Sequence, residues 1–124
     1  MKTILIVEDD QPLALAYRKK FESSNFNVEL AADGQSGITK ATQKKPDLII
    51  LDIMLPGGMN GFDVLRQLKL SKETKTIPVL VMTNLAEEGK SAMSLGAKEY
   101  LLKVNVTLQE LLDKVNRYLS QSPK

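Results

Sequence analysis

Short apolar runs, each closed by polar or turn-forming residues, recur along the chain. They lie at residues 4–7, 27–31, 48–51, 77–82 and 99–102. Continuous Leu, Ile and Val is typical of a strand that is covered on both faces of a parallel sheet. The run at 27–31 instead alternates apolar and polar side chains, which favours an edge or half-covered strand. The pattern therefore predicts five strands.

The segments between these runs carry apolar residues at helical spacing. Leu13, Tyr17 and Phe21 predict an amphipathic helix over residues 12–23. Further helices are predicted to open at Asp33-Gly34, to carry Phe62, Leu65 and Leu68 inward, and to run from Leu85 to Leu95 with Gly96 as the C-cap. The last helix shows a Thr107–Glu110 capping box and one apolar stripe of Leu108, Leu111, Leu112, Val115, Tyr118 and Leu119. We expect that stripe to face the core.

Five strands that alternate with five helices predict an α/β fold with a mostly parallel sheet. Each crossover is right-handed and lays its helix on the sheet, so helices cover both faces of a doubly wound structure. The strand order 2-1-3-4-5, as in flavodoxin-like folds, is the natural one for five such units. It places the first and third strands side by side at the switch point, where open sheets bind ligands.

Composition narrows the functions that this fold could carry. The 124 residues are 43% apolar and 26% charged, which fits one domain, predicted over residues 1–120 with a flexible tail at 121–124. A net charge of +2 does not favour nucleic acid or an anionic membrane as a partner. The chain contains no Cys or His, which excludes disulfides, thiolate chemistry, a Cys/His zinc site and a histidine base. The first apolar run is too short for a signal peptide or a membrane span, so we expect a cytoplasmic protein.

Carboxylates follow two strands that are predicted to be neighbours. Glu8, Asp9 and Asp10 come directly after the first strand, and Asp52 ends the third. Clustered carboxylates repel one another unless a cation joins them, and oxygen-only ligands in an open site favour Mg²⁺. The alternative is a solvated acidic turn without a metal ion.

Two further strand ends bring a hydroxyl and an ammonium to the same edge, those of Thr83 and Lys103. Taken singly, Thr83 is typical of a strand-end residue and Lys103 of a surface charge. Together with the acids they indicate a phosphoryl site, in which a carboxylate acts as nucleophile toward phosphorus. Asp52 is the candidate nucleophile because it is the lone acid on its strand end.

These residues, with Pro56 four positions after Asp52, resemble the receiver domain of two-component response regulators, in particular the stand-alone chemotaxis-regulator type. The resemblance covers the whole chain. It implies that Asp52 is the phosphoacceptor and that Thr83 and Lys103 contact the phosphoryl group. It also implies that Mg²⁺ is bound by Glu8, Asp9, Asp52 and the main-chain carbonyl of Met54.

The same resemblance implies a mechanism for signalling. A sensor histidine kinase or phosphotransfer protein donates the phosphoryl group from its phosphohistidine, Thr83 draws toward it, and Tyr100 moves inward as the switching aromatic residue. The face formed by the fourth helix, fifth strand and fifth helix then changes its binding to a downstream protein. Such a domain is regulatory rather than an enzyme, since it catalyses only its own phosphoryl transfer and slow autodephosphorylation. The sequence leaves open the cognate kinase, the output partner and whether the protein forms a homodimer.

Several positions depart from the family pattern. Lys103-Val104 replaces the usual Lys-Pro with its cis bond, so this peptide is expected to be either trans, re-aiming Lys103, or strained. The loop at Gly57-Gly58 is one residue longer than usual, and Asn84 is larger than the residue common after the threonine. Met54 places an apolar side chain beside the phosphoryl group, which predicts slow self-hydrolysis.

Three other functions are weighed against the switch. A receiver-like interaction module that no longer accepts phosphate is favoured by Lys103-Val104 but disfavoured by the complete set of site residues. A metal-dependent phosphatase generally has a second acid two residues after its nucleophile, where this chain has Met54. A dinucleotide-binding site requires G-x-G-x-x-G after the first strand, and that motif is missing.

Overall fold

Strands and helices alternate strictly along residues 1–120, which are the residues that the computed structural model describes. The predicted tail at 121–124 lies outside them. The strands are β1 (Thr3–Val7), β2 (Asn27–Ala31), β3 (Leu48–Asp52), β4 (Val79–Thr83) and β5 (Glu99–Leu102). The helices are α1 (Gln11–Glu22), α2 (Gly34–Lys44), α3 (Gly61–Leu70), α4 (Ala86–Ser94) and α5 (Leu108–Leu119).

All five strands are parallel and lie in the order β2-β1-β3-β4-β5, as predicted. The register fixes which residues meet at the carboxyl edge of the sheet. Val7 pairs with Leu51 across β1 and β3, and Asp52 pairs with Met82 across β3 and β4. Residues that follow β1 therefore lie beside the last residue of β3.

The core consists of two layers, one on each face of the sheet. Successive residues of β3 alternate between them, with Ile49 and Leu51 on one face and Leu48 and Ile50 on the other. Helices α2, α3 and α4 cover the first face, and α1 and α5 cover the second. Because both faces are covered, every residue of β3 and β4 is buried, which explains their continuous apolar sequence.

Most helices are preceded by an N-cap residue whose side chain accepts a hydrogen bond from a backbone N–H of the first turn. Asp10 accepts from the Leu13 N–H at 3.1 Å, which assigns this third acid to a structural role as the N-cap of α1. The predicted Thr107–Glu110 capping box of α5 is confirmed. A second capping box, formed by Asn60 and Asp63 at α3, was not predicted although its sequence pattern is similar.

Three local predictions were wrong in detail. Leu108 is 37% exposed rather than on the buried stripe. It is the first residue of α5, and a helical side chain leans over the preceding turn, which does not exist at that position. Strand β4 begins at Val79 instead of residue 77, since Pro78 has no N–H for the ladder. Leu95, not Gly96, is the C-cap of α4, and Gly96 follows it with a left-handed φ of 106°.

A polar contact network joins α5 to β5. The Tyr118 hydroxyl donates to Glu99 Oε1 at 2.6 Å, and Lys114 Nζ lies 2.7 Å from Glu99 Oε2. The pKa of Tyr118 is raised to about 12, mainly by the hydrogen bond to the Glu99 carboxylate and secondly by partial burial. Its neutral hydroxyl is therefore the form that stabilises the fold.

We expect Tyr118→Phe to lower the free energy of unfolding by about 0.5 to 1 kcal/mol at pH 8, a modest effect because the pair is partly solvated. Folding raises the pKa of Tyr118 from about 10 to about 12. The contribution of its hydroxyl to the free energy of unfolding is therefore complete below about pH 10 and is lost as the pH rises toward about 12. Urea unfolding of both proteins at increasing pH should show the difference shrinking above pH 10. A difference that stays constant with pH would contradict this assignment.

Candidate functional site

The carboxyl ends of β1 and β3 bring three acids into one cluster. Glu8 follows β1 directly, and Asp52 is the last residue of β3. One carboxylate oxygen from each of Glu8, Asp9 and Asp52 lies within 4.8 Å of the others. Glu8 and Asp52 are buried, whereas Asp9 is exposed. The structure thus brings together the three acids that the sequence places at this edge.

Lys103 bridges the two buried carboxylates. Its Nζ lies 2.9 Å from Glu8 Oε1 and 3.2 Å from Asp52 Oδ2. No peptide bond within residues 1–120 is cis, so Lys103-Val104 is trans. Of the two alternatives expected from the sequence, the trans bond is the one observed, and the Lys103 side chain still reaches Glu8 and Asp52. The Lys103 N–H donates to the Thr83 carbonyl at 2.8 Å, which continues the β4–β5 ladder and holds this backbone in place.

Burial and pairing set the charges of this cluster. Burial raises the pKa of Glu8, and repulsion from Asp52 acts in the same direction, while the hydrogen bond from Lys103 opposes both. For Lys103, burial acts to lower the pKa, but the hydrogen bond to Glu8 and the attraction of Asp52 outweigh it, so the pKa is raised. The ammonium therefore keeps its charge at neutral pH. Three acids against one ammonium leave the cluster able to attract a further cation.

The donors in this cluster fit a hard divalent cation. Carboxylate oxygens in an open position are the ligands that Mg²⁺ takes, because it keeps several water molecules. Glu8, Asp9 and Asp52 line a cleft of about 720 Å³ that is open to solvent. Met54 lies at its rim, with its N–H 3.4 Å from Asp52 Oδ1 and its side chain 71% exposed.

The loop after β3 is held against the site by Gly61, the first residue of α3. Its N–H donates to the Ile53 carbonyl at 2.8 Å. A Cβ at Gly61 would lie 2.6 Å from the Ile53 Cα and still closer to the Asp52 carbonyl oxygen, so only glycine allows this approach. Gly57 and Gly58 take left-handed φ values of 85° and 81° and face open space. The loop therefore has space around it at these two positions.

Thr83 is placed differently from the acids and Lys103. It ends β4 beside the cluster, but its hydroxyl donates to Glu88 Oε1 at 2.6 Å and accepts from the Leu85 N–H at 3.1 Å. Tyr100 is half-buried with its ring against Gly89 of α4, where a Cβ would lie 2.6 Å from the ring carbon Cε2. The sequence reasoning missed Glu88, which lines the same cleft as Asp52. Its position in the first turn of the helix after Thr83 was the one available signal.

The fold is doubly wound, and its switch point holds an acidic cluster with a paired lysine. Residues 4–116 match the family described as the response regulator receiver domain. The match covers most of the chain, so the chain belongs to the receiver domain family of two-component response regulators. The resemblance inferred from the sequence is thereby confirmed.

Relatives of this chain are response regulators. The response regulator ArlR of Staphylococcus saprophyticus is 33% identical over 126 residues, an alignment that covers 100% of this chain and 55% of ArlR. The chain therefore spans about half the length of the curated relatives it matches. A CheY-like receiver domain protein from Methanospirillum hungatei has a TM-score of 0.89 at 28% identity, covering 98% of this chain and 95% of that one. A two-component response regulator from Clostridium difficile has a TM-score of 0.88 at 26% identity, covering 98% of each chain.

Among residues 1–120, none of the helices combines the length and the apolar character needed to cross a membrane.

We expect Gly61→Ala to lower the free energy of unfolding by about 2 to 3 kcal/mol, because the new methyl group must displace the backbone at the end of β3. Gly57→Ala serves as the matched control. It meets no neighbouring atom and should lose only about 1 kcal/mol through its left-handed backbone. Urea unfolding measures both. Equal losses would show that α3 does not pack tightly against the end of β3.

Proposed function

We propose that this receiver domain, comprising residues 1–120, is a phosphorylation-dependent switch with Asp52 as the phosphoacceptor. The observation that carries the proposal is the Lys103 ammonium held between Asp52 and Glu8 at the switch point of the sheet. In this arrangement the buried Asp52 carboxylate lies beside the positive charge of Lys103, at a cleft that is open to solvent. A nucleophile and a charge that stabilises phosphoryl oxygens are the two groups that phosphoryl transfer requires.

The proposed donor is the phosphohistidine of a sensor histidine kinase or phosphotransfer protein, a donor that membership of the receiver domain family supports. An Asp52 carboxylate oxygen attacks phosphorus, the phosphorus–nitrogen bond breaks, and the imidazole leaves with the electron pair. Lys103 then exchanges part of its contact with Asp52 for a phosphoryl oxygen. Glu8, Asp9, Asp52 and the Met54 carbonyl would hold Mg²⁺, which would supply positive charge to neutralise the transferred group.

Thr83 and Tyr100 are the residues through which we propose that the phosphoryl group changes the surface. Thr83 contacts the phosphoryl group, and Tyr100 moves inward against β4. The surface that changes is formed by α4, β5 and α5, and its partner is a downstream protein rather than nucleic acid. The domain acts in the cytoplasm as a regulator, and its own catalysis is confined to accepting and slowly losing the phosphoryl group.

Incubation with acetyl phosphate and Mg²⁺ tests the assignment of Asp52. Intact-protein mass spectrometry should show the addition of one phosphoryl group to the wild-type chain and none to Asp52→Asn. Asp113→Asn, an exposed position on α5, is the control and should be modified normally. An unmodified wild-type chain would overturn the proposal and favour a receiver-like interaction module that works without phosphate.

The Met54 side chain predicts a long-lived phosphoryl group, because a thioether cannot position the attacking water. We expect Met54→Asn to accelerate loss of the phosphoryl group by about tenfold, since an amide can orient that water. The measurement is decay of the modified mass after removal of acetyl phosphate. Met93→Asn, an exposed position on α4, should leave the decay unchanged. Loss of the phosphoryl group within seconds from the wild-type chain, without any phosphatase, would contradict this role of Met54.

A further inference from the structure

The one hydrogen that the Thr83 hydroxyl can donate is already engaged in the structure. A hydroxyl has a single hydrogen to donate, and Thr83 donates it to Glu88 Oε1 at 2.6 Å. Its oxygen accepts the Leu85 N–H at 3.1 Å. The side chain is 1% exposed, so water cannot readily replace either partner. A phosphoryl oxygen can receive the Thr83 hydrogen only after Glu88 has released it.

Glu88 is placed where a phosphoryl group on Asp52 would disturb it. Its side chain lines the same cleft as Asp52 and Lys103. A phosphoryl group adds negative charge to that cleft and repels the Glu88 carboxylate. The same event that offers Thr83 a new acceptor therefore weakens its present one.

Glu88 also connects the site to the output side of the fold. The N-cap of α4 is Leu85, whose side chain cannot accept a hydrogen bond, so the Thr83–Glu88 contact ties the first turn of this helix to β4. The next residue, Gly89, is the one against which the Tyr100 ring packs. Release of Glu88 frees the α4 turn that holds Tyr100 in its half-buried position.

We propose that Glu88 is a positioning residue that holds Thr83 and α4 in the unphosphorylated arrangement and competes with the phosphoryl group for the Thr83 hydroxyl. This inference rests on the proposed function of Asp52. A ligand that binds one of two arrangements gains apparent affinity when the other is destabilised. Removing the Glu88 carboxylate should therefore make phosphorylation-like ligands bind more tightly.

Beryllofluoride with Mg²⁺, a reversibly bound mimic of the phosphoryl group, is the probe. Its affinity can be measured by fluorine NMR on the intact chain. We expect Glu88→Ala to bind beryllofluoride about tenfold more tightly than the wild type. The substitution removes the hydrogen bond from Thr83 to a charged acceptor, which stabilises the unphosphorylated arrangement. Glu88→Gln keeps an acceptor without the charge and should lie between the two. Glu87→Ala, an adjacent exposed acid in the same helical turn, should leave the affinity unchanged.

The same measurement in a Thr83→Val protein distinguishes competition for the Thr83 hydroxyl from simple charge repulsion between Glu88 and beryllofluoride. Thr83→Val removes the hydroxyl and keeps the shape of the side chain. If Glu88 acts through Thr83, Glu88→Ala has no further effect on beryllofluoride affinity in the Thr83→Val protein. A tenfold gain that persists there would show that Glu88 acts only through its charge, and the inference would be wrong.

The possible failures are distinguishable. A wild-type chain that binds no beryllofluoride overturns the proposed function and this inference together. A wild-type chain that binds it with the same affinity as Glu88→Ala and Glu88→Gln overturns the inference alone.

Discussion

The structure depends most on the Lys103 ammonium that lies between the buried Glu8 and Asp52 carboxylates. Charges removed from water are costly unless an opposite charge and hydrogen bonds replace the solvent. This contact can form only if the ends of β1, β3 and β5 lie at fixed positions along one edge. The sheet order, the buried strands on either side of β3 and the close approach of Gly61 all contribute to that spacing. The Asp52 carboxylate is consequently fixed in position at an open cleft.

In the proposed switch α4 is the helix that moves, and its contacts differ from those around β3. Around β3, both faces of the sheet are covered by packed apolar side chains. Helix α4, by contrast, begins at Leu85 without a side-chain acceptor and contacts β5 through a tyrosine ring against a glycine. A switch needs two arrangements separated by a few kcal/mol, so that one added group can favour either. The proposed function assigns that change to α4, through its contacts with Thr83 and Tyr100.

Much of the fold follows from the sequence because its strands are buried on both faces and read as continuous apolar runs. The same runs end at Glu8, Asp52, Thr83 and Lys103, so topology alone predicts a shared edge. What topology does not give is the direction of a hydroxyl. The Thr83–Glu88 bond depends on the backbone of the short loop at residues 84–85, which no periodicity encodes. The position of the Lys103 ammonium could not be predicted from Lys103-Val104 for a similar reason, because a ladder hydrogen bond and a long side chain decide where it lies.

In the proposed switch, Lys103 gives up part of its contact with Asp52, and Thr83 its contact with Glu88, for the phosphoryl group on Asp52. A crystal structure of the chain with Mg²⁺ and beryllofluoride tests it most directly. We expect beryllium bonded to an Asp52 carboxylate oxygen, with Lys103 Nζ and Thr83 Oγ1 each within hydrogen-bond distance of a fluoride and Glu88 released from Thr83. Beryllofluoride bound on Asp52 with Lys103 still bridging Glu8 and Asp52, and Thr83 still bonded to Glu88, would contradict it.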